Sequence, residues 1–183
     1  MDTPTLKWVN HADRWKDPAT FNDLMVTVAA NAAFRIPIDG TVLDLGCGDG
    51  FLARYVYHRR AGAIVGVDID PAAIALANER HAGPGIRYYC GDACSVTARP
   101  ASFDVVILRG LWPDLSEQQR RSVVALGEYV LKPGGWFVGD STNDDGGLDR
   151  LCETFDPVYV VEYQTGWHPN ERINHLWQGR KPC

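Results

Sequence analysis

The last two strand-like segments of the chain lie too close together to be parallel neighbours. Residues 158–164 and 173–178 both have the apolar, β-branched character of strands, and only eight residues separate them. A parallel pair needs a crossover connection of about a dozen residues or more, so these two strands are expected to run antiparallel. The sheet is therefore predicted to finish with a hairpin.

Ahead of this hairpin the sequence alternates between strand and helix. Asp70 followed by Pro71, and Ser116 followed three residues later by Gln119, are patterns that begin helices. The predicted strands are residues 41–45, 63–68, 86–90, 104–108 and 136–140, and the predicted helices are residues 18–34, 50–60, 71–81, 116–131 and 148–155. Alternation of this kind predicts an α/β fold, in which a parallel sheet carries helices on both faces.

Length and composition restrict the organisation and the partners of the chain. Its 183 residues fit one domain, with an N-terminal helical segment (1–35) ahead of a core (36–183). The formal net charge of −5 argues against a nucleic-acid partner, because affinity for phosphates comes from clustered cations. No run is long and apolar enough for a membrane span, and the first residues lack a signal-peptide pattern. Five cysteines without CxxC spacing predict reduced thiols in a cytoplasmic protein without a metal site.

A glycine-rich loop follows the first predicted strand. It reads Asp44-Leu45-Gly46-Cys47-Gly48-Asp49-Gly50. Glycine permits a sharp turn and a close approach to a ligand, and the N–H groups of the loop and helix start are predicted to face that ligand. The dinucleotide fingerprint would need a third glycine where this chain has Phe51. The same spacing also occurs in a plain turn between strand and helix, so other positions must decide.

Acidic residues follow the second and third predicted strands. Asp68 lies 24 residues after Asp44, at a distance where a carboxylate can accept hydrogen bonds from ribose hydroxyls. Asp70 is better explained as a helix cap. Asp92, in Gly91-Asp92-Ala93, is placed to accept a hydrogen bond from an exocyclic amine. These positions favour a nucleoside site at the carboxyl ends of the strands.

Together with Phe103-Asp104-Val105-Val106 and Leu131-Lys132-Pro133-Gly134-Gly135, these motifs resemble the class I S-adenosylmethionine-dependent methyltransferases over about residues 41–178. The resemblance implies a Rossmann-like seven-stranded sheet of order 3-2-1-4-5-7-6 with strand 7 antiparallel. It implies S-adenosyl-L-methionine as the cofactor and S-adenosyl-L-homocysteine as its product. Asp44 and the glycine loop would lie under the methionine moiety, and Asp68 would hold the ribose. The residues implied for cofactor binding are Asp44, Gly46, Cys47, Gly48, Gly50, Asp68, Ile69, Asp92, Ala93 and Arg109.

The methyl acceptor is expected beside the carboxyl ends of strands four and five. The candidates for that place are Arg109, Trp112, Asp114, Asp140 and Asn143. The N-terminal segment could cover the site as a lid that carries Trp8, His11 and Trp15. The candidate catalytic residues are His11 as a base, Arg109 and Asp114. Arg109 is suited either to clamp an acidic group of the acceptor or to pair with a nearby aspartate.

The expected activity is methyl transfer to a small-molecule acceptor by in-line displacement, in a monomer or a homodimer. Three alternatives remain open at this stage. The same fold can host non-methylating chemistry such as cyclisation, or a non-catalytic role for the bound nucleoside. A nicotinamide oxidoreductase is the third, and Phe51 and the terminal hairpin disfavour it. The sequence does not distinguish oxygen, nitrogen, carbon and sulfur as the methyl acceptor atom.

Overall fold

The computed structural model of the protein describes residues 32–142, 147–164 and 173–183. These residues include a seven-stranded sheet of order β3-β2-β1-β4-β5-β7-β6. Its strands are β1 (Gly40–Leu45), β2 (Ala61–Asp68), β3 (Ile86–Cys90), β4 (Phe103–Leu108), β5 (Leu131–Thr142), β6 (Val158–Gln164) and β7 (Ile173–Arg180). β7 runs antiparallel to both β5 and β6, and the remaining neighbours are parallel. The predicted sheet order and the terminal hairpin are confirmed.

Helices follow the strands, as the alternating pattern predicted. They are α1 (Phe51–Tyr55), α2 (Pro71–Leu76), α3 (Glu117–Val130) and α4 (Gly147–Thr154), with 3-10 helices at Ala33–Arg35, Tyr57–Arg59, Ala93–Ser95 and Trp112–Asp114. Asp70 caps α2 by accepting a hydrogen bond from the Ala72 N–H at 2.8 Å, and Ser116 with Gln119 forms a complete capping box on α3. Over the described ranges, no helix combines the length and apolar character that crossing a bilayer requires.

Two predicted helices are shorter than the sequence indicated. The predicted helix 50–60 is divided into α1 and the 3-10 helix Tyr57–Arg59. In the predicted helix 71–81, α2 gives way to the π-helix Ala77–His81. The predicted helix 18–34 lies outside the described residues except for its end, where Ala33–Arg35 forms a 3-10 helix.

The fifth strand begins earlier than predicted. Leu131 already pairs with Phe103, whereas the next paired residue of β5 along this register is Trp136, opposite Val105. Residues 132–135 therefore bulge out of the ladder. The Nζ of Lys132, within this bulge, lies 2.8 Å from Oδ2 of Asp104 and fixes it to β4.

Apolar side chains cover both faces of the central strands. Val42, Val105 and Val138 belong to one buried cluster, and their chain neighbours Val106 and Phe137 belong to another on the opposite face. The central strands are thus buried on both sides, as expected for a parallel sheet between two helix layers.

Candidate functional site

The glycine loop between β1 and α1 has a backbone that other residues tolerate poorly. Gly46, Gly48 and Gly50 have φ values of 76°, 55° and 76°, in the left-handed region. A Cβ atom on Gly50 would lie 2.5 Å from the ring of Tyr88, so space as well as conformation requires glycine there. The loop is therefore a fixed, close-packed turn.

Three amides of the loop bond within the protein, whereas the sequence predicted that the N–H groups of the loop face a ligand. The N–H groups of Gly46 and Cys47 donate to the carbonyl oxygen of Val67 at 2.8 and 3.1 Å. The N–H of Gly48 donates to Oδ2 of Asp68 at 2.8 Å. These three amides tie the loop to the end of β2, because backbone donors at a tight, partly buried turn need partners. The loop supplies shape more than hydrogen-bond donors.

Asp68 lies at the junction of the loop and β2, where the sequence placed it. Its Oδ2 accepts from Gly48 and its Oδ1 accepts from the Asp70 N–H at 2.9 Å. A carboxylate has about four acceptor positions, so about two remain for the hydroxyls of a ribose. Ile69, next in sequence, is 72% exposed and offers an apolar surface beside that carboxylate.

A second carboxylate lies buried beneath the loop. Asp44 is only 3% exposed. Burial, reinforced by the nearby charge of Asp68 and opposed by Arg109, raises the pKa of Asp44 to about 7. A cation placed against Asp44 would stabilise its ionised form. Burial and the charges of Asp44 and Asp68 raise the pKa of the Cys47 thiol, which disfavours its thiolate form.

Arg109 and Asp140 come together at the adjacent ends of β4 and β5. Arg109 Nη1 lies 3.3 Å from Asp140 Oδ2, and Asp140 Oδ1 accepts from the Gly110 N–H at 2.6 Å. The ion pair is one of the two roles predicted for Arg109. Arg109 Nε is buried, and it has no hydrogen-bond partner among the described residues. A Cβ on Gly110 would meet no described heavy atom within 4 Å, so the described residues leave open space beside this pair.

The remaining candidates are spread over the same edge or fall elsewhere. Asp92 is exposed and its Oδ1 accepts from the Cys94 N–H at 2.8 Å, while Ala93 is buried in the core. Asp114 is exposed at the end of the 3-10 helix Trp112–Asp114. The candidates that lie outside the described residues are Trp8, His11, Trp15 and Asn143.

The prediction that Trp112 faces an acceptor is wrong. Its side chain is fully buried and makes an edge contact with Trp177, with the ring centroids 5.3 Å apart. A buried tryptophan ring removes a large apolar area from water, and Trp112 packs in the buried cluster that also contains Val106 and Phe137.

Two contacts beneath the loop were not predicted. His81 Nδ1 lies 2.6 Å from the carbonyl oxygen of Asp49, and the Tyr88 hydroxyl lies 3.1 Å from that of Gly50. Tyr88 could have been placed from the alternation of β3, which turns Ile86 and Tyr88 inward. No spacing in the sequence links His81 to the loop.

Residues 42–135, just over half of the chain, match a family described as a methyltransferase domain. Over 99 residues the chain is 36% identical to a probable phthiotriol/phenolphthiotriol dimycocerosates methyltransferase 2 of Mycobacterium ulcerans (strain Agy99), covering 52% of this chain and 37% of that protein. Over 134 residues it is 30% identical to the EEF1A lysine methyltransferase 2 of Mus musculus, covering 67% and 54%. These matches thus span about a third to a half of the relatives' length.

Solved structures share the fold at lower sequence identity. The N-methyltransferase NodS from Bradyrhizobium japonicum WM9, in complex with S-adenosyl-L-homocysteine, matches with a TM-score of 0.78 and 20% identity, covering 93% of this chain and 91% of that chain. The [4+2]-cyclase SpnF matches with a TM-score of 0.68 and 19% identity, covering 88% and 81%. With the sheet order, the glycine loop and the family match agreeing, the chain belongs to the class I S-adenosylmethionine-dependent methyltransferases.

Proposed function

We propose that the protein binds S-adenosyl-L-methionine at the carboxyl edge of the sheet and transfers its methyl group to a small-molecule acceptor. The observation that carries this proposal is the pair of carboxylates at the glycine loop, Asp44 beneath it and Asp68 at its side. The methionine part of this cofactor carries a sulfonium and an ammonium group, and both are cations. A cationic ligand would offset the burial and the repulsion from Asp68 that together raise the pKa of Asp44.

The hydrogen bonds of the loop argue against a nicotinamide dinucleotide. Such a cofactor brings a pyrophosphate, which binds to free backbone amides at a glycine loop and a helix start. Here the amides of Gly46, Cys47 and Gly48 already have partners within the protein. A pyrophosphate would therefore lack these three donors.

The described residues fit the parts of S-adenosyl-L-methionine one by one. The unused acceptor positions of Asp68 suit the ribose hydroxyls, and the exposed side chain of Ile69 suits the adenine ring. Asp92 suits the exocyclic amine of the base, beside the buried Ala93. Asp44 suits the ammonium group, and we assign the backbone near Arg109 as a further contact for that group.

The cofactor supplies a methyl group bonded to a cationic sulfur. A lone pair of the acceptor forms the new bond to the methyl carbon while the carbon–sulfur bond breaks, and its electron pair stays on sulfur. The acceptor then loses its proton to a base or to water. Since charge is dispersed in this step, the protein contributes mainly by holding the two reactants in line, which can supply about 7–11 kcal/mol.

The acceptor is proposed to occupy the open space beside Gly110, in contact with Arg109 and Asp140. An acceptor with an acidic group would compete with Asp140 for the guanidinium of Arg109, whose buried Nε offers a further donor. His11 remains the proposed base and Asp114 a proposed acceptor contact. We place this activity in the cytoplasm, in a monomer or a homodimer, without nucleic-acid or membrane partners.

The test is calorimetric binding of S-adenosyl-L-homocysteine followed by turnover with S-adenosyl-L-methionine and a panel of small hydroxyl, amine, carbon-acid and thiol acceptors. Mass spectrometry should detect the demethylated cofactor and an acceptor heavier by one methylene. A product formed without S-adenosyl-L-homocysteine would instead favour non-methylating chemistry, the second candidate, which the fold shared with the [4+2]-cyclase SpnF supports. Binding without any turnover would favour a non-catalytic role.

A deletion tests the proposed lid. Removing residues 1–16 should abolish turnover and leave the affinity for S-adenosyl-L-homocysteine largely intact, because the proposed base His11 belongs to the deleted segment and the proposed cofactor contacts, Asp44 to Arg109, do not. Loss of both properties, or of neither, contradicts the lid.

A further inference from the structure

A buried histidine and a buried tyrosine lie beneath the glycine loop. His81 is 5% exposed, and its Nδ1 lies 2.6 Å from the carbonyl oxygen of Asp49. Tyr88 is 6% exposed, and its hydroxyl lies 3.1 Å from the carbonyl oxygen of Gly50. A carbonyl oxygen can only accept, so Nδ1 of His81 carries a proton and the Tyr88 hydroxyl donates. Both donors hold loop carbonyls on the inner side of the loop.

Packing fixes the two donors in these positions. The ring of His81 makes edge contacts with Phe51 and Tyr55, at centroid distances of 5.9 and 5.5 Å. The π-helix Ala77–His81, which ends at this histidine, departs from the α-helical register and so changes where the last side chain points. The Tyr88 hydroxyl also lies 3.3 Å from the carbonyl oxygen of His81, which connects the two residues directly.

The loop needs such support because its glycines permit many backbone conformations. Gly48 and Gly50 flank Asp49, and both have positive φ values. Glycine loses more conformational entropy on ordering than any other residue. If the carbonyl groups of Asp49 and Gly50 lost their buried donors, the peptides could rotate and change the surface offered to the cofactor.

We propose that His81 and Tyr88 are positioning residues of the cofactor site, which pre-order the glycine loop by donating hydrogen bonds to the carbonyl groups of Asp49 and Gly50. Neither residue contacts the cofactor, and both act through the loop. The proposal rests on the proposed function, since it assumes that the loop binds S-adenosyl-L-methionine. It adds that cofactor affinity depends on two side chains on the inner side of the loop.

The experiment separates the donor of His81 from its ring. In His81→Asn the side-chain amide can occupy the place of Nδ1 and donate, but the ring contacts are lost. In His81→Phe a ring remains and the donor is lost. Tyr88→Phe removes only the hydroxyl, and Tyr89→Phe, at a half-exposed position on the same strand, is the matched control. Each full-length variant is measured by calorimetry with S-adenosyl-L-homocysteine, by thermal denaturation, and by hydrogen exchange of the loop amides.

We expect His81→Phe and Tyr88→Phe each to weaken S-adenosyl-L-homocysteine binding about tenfold and to accelerate exchange of the loop amides, which is the effect of losing one buried hydrogen bond. His81→Asn should stay within about threefold of the wild type even if its melting temperature falls, because it retains the donor. Tyr89→Phe should change neither property.

Several outcomes would overturn the inference. One is that His81→Asn loses as much affinity as His81→Phe, and another is that affinity follows the melting temperature across the series. If His81→Phe does not fold, Tyr88→Phe decides alone, and an unchanged affinity is then a refutation. A wild-type protein that fails to bind the nucleoside would overturn the proposed function as well. Normal wild-type binding with unaffected variants defeats this inference alone.

Discussion

Replacing Asp44 by asparagine should remove a cost of folding that grows with pH. Asp44 is 3% exposed, and burial together with the charge of Asp68 raises its pKa from 3.8 to about 7. Between these two values the folded protein keeps a proton on Asp44, whereas the unfolded chain has released it. Stability therefore falls as the pH rises through this interval, since the folded state binds more protons there.

The size of the effect follows from the two pKa values. The interval between 3.8 and about 7 corresponds to about 4 kcal/mol of stability lost above pH 7. Relaxation around the charge recovers part of this loss, so we expect about 2–4 kcal/mol. Asparagine has nothing to ionise and avoids the penalty. Arg109 opposes the rise, so its truncation should enlarge the effect.

The assay is urea denaturation of the wild type and of Asp44→Asn without ligand, at pH 5 and at pH 8 and at constant ionic strength. Groups that the substitution leaves unchanged contribute equally to both proteins, so their effect cancels in the difference between the two unfolding free energies. That difference should shift in favour of Asp44→Asn by about 1–3 kcal/mol between the two pH values, because only about two of the three pKa units lie above pH 5. Asp39→Asn, at an exposed position, is the control. A wild-type-to-variant difference that is the same at pH 5 and pH 8 refutes the reasoning.

Three further predictions follow from single contacts. Asp68→Ala should weaken S-adenosyl-L-homocysteine binding at least about tenfold in calorimetry, whereas Asp70→Ala should cost about 1 kcal/mol of stability through the lost cap and leave affinity unchanged. Ser116→Ala should cost about 1 kcal/mol in denaturation, again without altering affinity. Burial would raise the pKa of Asp104, but hydrogen bonds led by that from Lys132 hold it below its usual value. Asp104→Asn should therefore cost about 1–3 kcal/mol at pH 7, and the difference should disappear as acid protonates the wild-type carboxyl. If the wild type and Asp104→Asn had equal unfolding free energies at pH 7, as in acid, this prediction would be contradicted.

The succession of strands and helices could be predicted from the sequence because it depends on connection lengths and apolar runs. The eight residues between the last two strands sufficed to make these two strands antiparallel to each other, and the caps at Asp70 and Ser116 fixed where helices begin. These signals are local, so a single sequence contains them in full. Asp44 and Asp68 could also be placed from local signals, because each lies at the end of a strand that the sequence had predicted. The order of the strands in the sheet was implied only by the resemblance to the methyltransferase family.

What could not be predicted depends on contacts between distant segments. The apolar spacing of residues 71–81 suits an α-helix, yet the end of that segment is a π-helix whose histidine bonds to a loop 32 residues earlier. The loop amides were expected to be free because their partners, Val67 and Asp68, lie on another strand. The burial of Trp112 was not predicted because the cluster that receives it combines residues as distant in sequence as Leu43 and Trp177.

The two carboxylates at the loop, Asp44 and Asp68, together favour a cationic ligand. The buried His81 donates a hydrogen bond to the carbonyl group of Asp49 on the inner side of the loop. The Gly48 amide donates to Asp68, and Asp44 is buried next to the loop. The main charges at the loop are therefore those of the two carboxylates. A bound cation lowers the pKa of Asp44 back towards its usual value, so binding and deprotonation are linked. The affinity for S-adenosyl-L-methionine should therefore rise as the pH increases from 6 to 8 in the wild type. Asp44→Asn should bind more weakly with little dependence on pH, and an equally steep dependence in the variant would show that another group is responsible.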